Sequence, residues 1–230
     1  MKKILGAISF LSRIPVRTNL KPSEICGDFP AVGYLSGGLY VILIWSWGRS
    51  IPAIIVTVFI IYLFFNAFHF DGLLDSADAF MSQKIRERKL EIMKMGNIGP
   101  MALIVGTLYM ILKVHVIGDI SFMGILASTV SSRYAMVFTA YFSRPAKVNG
   151  LGNAIFPVKS RHVLHASIYL IPFLFFPKYL FVIFFALISA FLVKFISDRM
   201  IGGITGDVLG AIEEISEITG MVLAFYLGLR

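Results

Sequence analysis

Long apolar runs separated by short charged segments constrain this chain more than any other feature. From Phe29 to Trp47 no side chain carries a charge, and the same holds from Ile51 to Phe68. Ile98 to Leu112 is a shorter run that reaches Ile117 if Lys113 snorkels, and Ile120 to Phe142 is interrupted only by Arg133. His162 to Phe176 and Tyr179 to Ile196 flank Pro177-Lys178, and Ile218 to Leu229 comes last. A membrane-spanning helix needs about 20 mostly apolar residues. The pattern therefore predicts an all-α, polytopic membrane bundle of about six or seven crossings in a single domain over residues 1–230. The last run is short and extends back towards Val208 or lies partly in the interface.

Composition agrees. Hydrophobic residues make up 57% of the 230 and charged residues 15%, against about 25% charged in soluble domains. A soluble fold could not cover so much apolar surface, whereas lipid can. Met1 to Leu11 carries Lys2 and Lys3 before a short apolar stretch that Arg13 closes, without a small-residue cleavage site. It reads as a retained interfacial helix. Cys26, the single cysteine, permits no internal disulfide.

The net charge of +8 does not call for nucleic acid, because the cations sit between apolar runs. With the N-terminus in the cytoplasm, 15 of the 21 Lys and Arg fall inside, and only Arg49, Lys113, Lys178 and Arg230 fall outside. Nearly every acid falls on the same inner side. The expected location is a cell inner membrane, multi-pass, with the motif loops cytoplasmic. Met81 to Lys94 reads as a short amphipathic helix with Ile85, Lys89, Ile92 and Met93 on an interfacial stripe.

Three loops carry candidate chemistry. In His69-Phe70-Asp71-Gly72-Leu73-Leu74-Asp75-Ser76-Ala77-Asp78, the three aspartates recur at i, i+4 and i+7 on one helical face. Like charges so placed repel, and a hard divalent cation such as Mg2+ or Mn2+ relieves them. Favourable placement at a helix start explains Asp71 but not the triplet. Gly72 admits a ligand or another backbone. Gly202-Gly203-Ile204-Thr205-Gly206-Asp207, followed by Gly210, Glu213, Glu214 and Glu217, either cradles phosphate or packs helices through Gly206 and Gly210. Asp207 is a further metal candidate. Asn149-Gly150-Leu151-Gly152-Asn153 lies among Arg144, Lys147, Lys159 and Arg161, where a polyanion or plain topology could explain the cations. Arg133 is expensive in a membrane, so it should face the interior and pair. His69 is a candidate base.

Taken together, these motifs resemble the cobalamin synthase family, adenosylcobinamide-GDP ribazoletransferase. The resemblance covers most of the chain. It rests on Phe10-Leu11-Ser12-Arg13-Ile14-Pro15-Val16, Phe29-Pro30 with Gly33, His69-Phe70-Asp71-Gly72-Leu73-Leu74-Asp75 with Asp78, and Leu90-Glu91-Ile92-Met93-Lys94. Ser132-Arg133, Gly150-Leu151-Gly152-Asn153, Gly202-Gly203 with Thr205-Gly206-Asp207, and Glu214 with Glu217 complete it. After Met93-Lys94 the family commonly carries Asp, Ser and then Arg, where this chain has Met95, Gly96 and Asn97. No role of that Asp carries over.

The resemblance implies adenosylcobinamide-GDP and α-ribazole, or its 5′-phosphate, as substrates. Adenosylcobalamin, or its phosphate, and GMP are the products, with Mg2+ required. It implies catalytic roles for His69, Asp71, Asp75, Asp78 and Asp207, the four aspartates as metal ligands. Arg133, Gly150, Gly152, Asn153, Gly203, Thr205, Gly206 and Glu214 are implied in ligand binding. Membrane lipid is a further partner, and self-association stays open. Two rivals remain. A CDP-alcohol phosphotransferase carries Ala-Arg where this chain has Leu74-Asp75. A transporter places ionisable groups at mid-membrane, where Arg133 is the one feature in its favour.

Overall fold

The computed structural model describes residues 1–146 and 151–229. Among them the chain forms twelve α-helices and no strand: α1 (Lys2–Leu11), α2 (Pro22–Ile25), α3 (Phe29–Trp47), α4 (Ile51–Ile61), α5 (Ala67–Met81), α6 (Arg86–Met95), α7 (Pro100–Ile117), α8 (Phe122–Tyr141), α9 (Ser160–Ile168), α10 (Ile171–Leu174), α11 (Pro177–Ile201) and α12 (Gly206–Tyr226). A wide π turn over Tyr62–Asn66 joins α4 to α5, so the chain is helical from Ile51 to Met81. That turn leaves the Phe64 carbonyl to accept from the Arg13 N–H at 2.7 Å.

Four stretches are long and apolar enough to cross a membrane: Pro22–Trp47, Ile51–Met81, Pro100–Ile117 and Pro177–Ile201. α8 and α12, of 20 and 21 residues, match them in length but are the inner helices. α12 packs on α5, α7, α8 and α11, and α8 also packs on α3. Both are therefore buried along most of their length and carry Ser, Thr and Glu where the outer helices carry Phe and Ile. The run His162 to Phe176 is not one helix. It folds as the short α9 and α10, broken at Tyr169 and Leu170.

Local chemistry sets the ends. Pro100 and Pro177 occupy first turns, where a missing N–H leaves no partner wanting. The Ser121 and Thr205 hydroxyls accept from Gly124 N and Val208 N, capping α8 and α12. Gly202, at φ 76°, stops α11 in the left-handed region.

At one end of the bundle Arg49 donates to the Gly118 and Ile120 carbonyls at 2.6 and 2.9 Å, and Ser121 Oγ lies 2.9 Å from Tyr179 Oη. At the other end Arg86 donates to the Ile201 and Ala146 carbonyls at 2.7 and 3.1 Å. There Ile204 N bonds the Arg144 carbonyl and Ala146 N bonds the Ile204 carbonyl, both at 2.9 Å. The described parts of all three motif loops gather at this second end.

α6 does not lay the expected stripe on the interface. Ile85 is exposed, while Lys89 and Met93 are buried against the bundle. The Lys89 ammonium donates to the carbonyls of Ala79 and Ser82 and so caps the C-terminus of α5.

Candidate functional site

The site begins with a crossing of α5 over α12 in which glycines take the contact. A Cβ at Gly72 would sit 2.5 Å from the Asp207 carbonyl oxygen, and one at Gly210 would sit 2.8 Å from that of His69. Only hydrogen fits at either position, so the two backbones touch. The glycine of the first motif thus receives another backbone, and Gly210 packs helices. Gly152 plays a similar part, since a Cβ there would fall 2.2 Å from Gly206 N. Gly152 and Asn153 lie in the Leu151–Ile155 turn seated on the start of α12. Gly203 packs against the Arg144 carbonyl. Gly150 and Lys147 lie outside the described residues.

Three carboxylates stand beside the crossing at graded depth, and this surface is called the mouth. Asp71 is exposed, Asp207 half-buried and Asp75 8% exposed. Asp75 lies within electrostatic reach of Asp71, Asp207 and Asp78. Among the described residues neither Asp71 nor Asp75 has a hydrogen-bond or ion-pair partner. Thr205 is the N-cap of α12 rather than a free hydroxyl, with its Oγ1 3.3 Å from an Asp207 carboxylate oxygen.

Asp78 has another task. Its carboxylate accepts from Gly99 N at 2.6 Å, Ala102 N at 2.9 Å and Met101 N at 3.1 Å, capping α7. The structure thus places Asp78 on the start of α7, apart from the shared ligand set expected of the triplet. Seven residues of helix rise by about 10 Å, too far for Asp71 and Asp78 to grip one ion. No group of three His, Cys, Asp or Glu side chains among the described residues closes into a metal cage.

Behind the mouth lies a buried ion cluster, in which Arg133 faces the interior and pairs, as an intramembrane arginine should. Arg133 and Glu214, expected to touch ligand, are 1% and 0% exposed in the interior of the bundle. Arg133 Nη1 lies 2.6 Å from Glu213 Oε1 and also pairs with Glu217, while Nη2 donates to Asn66 Oδ1 at 2.8 Å. Glu214 accepts from Tyr62 Oη at 2.6 Å, Asn66 Nδ2 at 3.0 Å and Tyr109 Oη. Lys113, expected to snorkel outward, is wholly buried, with its Nζ 2.7 Å from Glu217 and 3.4 Å from Glu214. Three acids therefore sit along a buried, membrane-length helix, where the sequence reading placed nearly every acid on the inner side. A buried charge must be paired, and two cations here face three carboxylates. The legible signal was spacing: Tyr109 and Lys113 share a face at i, i+4, as do Glu213 and Glu217.

His69 joins the two regions. It is 6% exposed and two residues before Asp71 on α5, with Nδ1 3.3 Å from Glu213 Oε2.

The description of the family whose model matches residues 3–225 is cobalamin-5-phosphate synthase. The chain belongs to that family. Similar members of the cobalamin-5-phosphate synthase family are named adenosylcobinamide-GDP ribazoletransferase. One, from Thermosipho melanesiensis, is 38% identical over 214 residues, covering 90% of each chain. Another, from Fervidobacterium nodosum, is 36% identical over 236 residues, covering 99% of this chain and 98% of its own. A third, from Kosmotoga olearia, is 35% identical over 229 residues, covering 94% and 95%. No solved structure matches. The match makes the chain a membrane-helical transferase of cobalamin biosynthesis.

Proposed function

We propose that this chain joins adenosylcobinamide-GDP to α-ribazole or its 5′-phosphate, releasing GMP and adenosylcobalamin or its phosphate. The observation that carries the reading is the crossing of α5 and α12. It brings Asp71 and Asp75 from one motif beside Asp207 from another, at an open mouth. Family membership supplies the substrates.

The mouth fits Mg2+ in a particular way. Asp71, Asp75 and Asp207 offer hard oxygen donors and no complete cage. Mg2+ characteristically takes one or two carboxylates and completes its shell with water and substrate phosphates. Bound there, it would neutralise phosphate charge and ease departure of the leaving group. The protein's own contribution is placement. The rigid crossing holds the nucleotide-activated end of the substrate in register with the incoming ribazole oxygen. That oxygen bonds to the phosphorus nearer the cobinamide as the P–O bond to GMP breaks. His69, with Nδ1 near Glu213, is the candidate acceptor of the proton lost from the attacking hydroxyl.

We also read seven crossings, with the N-terminus and the mouth in the cytoplasm of a multi-pass inner-membrane protein. The lengths of α8 and α12 support this, as does the path of α9 and α10 from one end of the bundle to Tyr179 at the other. The buried ion cluster would suit a transporter, but its charges are spent on each other. The test is GMP release by purified chain given adenosylcobinamide-GDP and α-ribazole, with and without Mg2+. Asp71→Asn and Asp75→Asn should lower turnover by about 10²–10⁴, the range of several kcal/mol, while remaining folded. Near-parental turnover at unchanged Mg2+ demand would remove the mouth from the chemistry.

A further inference from the structure

The outside of the bundle is furrowed between α4–α5 and α7. Two hollows, of about 490 and 650 Å³, share Ile55, Met110 and Val114 as walls, so they run into one another along the helix axes. The floor of the smaller is Val58 and Tyr62, both buried, and its rim is Phe59 and Leu63, both exposed. Towards the mouth end it closes on Arg13.

Arg13 is held in place by its backbone, through the bond to Phe64 in the wide turn, and not by a partner for its charge. Its guanidinium carbon lies 5.9 Å from the Phe68 ring centroid, and it has no carboxylate partner among the described residues. Lys2, Lys3 and Arg17 are exposed on the same N-terminal segment. An apolar trench that ends, near the close of the apolar run Ile51 to Phe68, on a cation without a carboxylate partner matches one molecule of the surroundings in both shape and charge.

We infer that this furrow binds one anionic phospholipid of the leaflet on the mouth side, with an acyl chain along Ile55, Phe59 and Met110 and its phosphate on Arg13. The site lies outside the reaction proposed above and depends only on the chain being in a membrane. Because the floor includes Tyr62 of the wide turn that leads into α5, the lipid braces the helix that carries Asp71 and Asp75.

Native mass spectrometry of the full chain, exposed to equal phosphatidylglycerol and phosphatidylcholine, tests this. The parent should retain one phosphatidylglycerol about five-fold over phosphatidylcholine, the worth of one basic side chain at a membrane surface. Arg13→Gln should bring that ratio to about one and Arg13→Lys should keep it, which separates charge from folding. Met110→Trp should displace both lipids by filling the trench. Equal retention by the parent, a preference that survives in Arg13→Gln, or a lipid-free mass of two chains would overturn the inference.

Discussion

Replacing Gly72 by alanine adds one carbon at the place where α5 and α12 touch. That carbon would sit 2.5 Å from the Asp207 carbonyl oxygen, whereas ordinary contact begins at 3.4 Å. The obstacle is backbone and cannot rotate away, so the helices must part by about 0.9 Å, the difference of those two distances. Overpacking of this kind costs about 1–3 kcal/mol. At about 2–4 °C per kcal/mol for a chain of this size, melting should fall by roughly 2–12 °C. The effect on catalysis should be larger in proportion, since a misplacement of about 1 Å can cost about 10²-fold in rate. Gly38→Ala is the control. Nothing lies within 4 Å of a Cβ there, and the position is helical, so alanine should be neutral or slightly stabilising. Both variants should be compared by GMP release and by melting in the same detergent. Parental turnover in Gly72→Ala would refute the idea that the crossing sets the geometry of the mouth.

Lys113→Met should destabilise by about 3–5 kcal/mol, because Glu214 and Glu217 lose their ammonium partner inside the bundle. Adding Glu217→Gln should recover part of that, and melting of the single and double variants would show it. Asp78→Ala should lose about 1–2 kcal/mol through the uncapped start of α7, while folded protein keeps turnover within a few-fold. A collapse of turnover with no change in melting would return Asp78 to the mouth.

The helices were legible because lipid demands long apolar runs, and α3 begins and ends where the sequence says it should. α12 was underestimated for the converse reason. Glu213, Glu214 and Glu217 look like a boundary to any reading by hydropathy, yet they are satisfied by partners on α5, α7 and α8. Lys113 was misplaced because a lysine near the end of an apolar run ordinarily snorkels, and only the fold reveals carboxylates beside it. The aspartate face of α5 was readable from period alone. The diversion of Asp78 was not, since its N–H partners lie more than twenty residues away. Gly72 and Gly210 were recognisable as points of close approach, but which backbone approached them was tertiary information.

The ion cluster also bears on how the protein is made. A charged residue at the centre of a lone helix costs roughly 2.5–3.5 kcal/mol on insertion, and α12 brings three carboxylates while α7 and α8 bring Lys113 and Arg133. Neither set is comfortable in lipid without the other. Since α12 is synthesised after α7 and α8, those two must wait beside the insertion machinery, or in a sheltered intermediate, until it arrives. Nascent chains that end before Gly206 should therefore be poor membrane residents and ready substrates for quality-control proteases. α12 closes the ion cluster as well as completing the mouth.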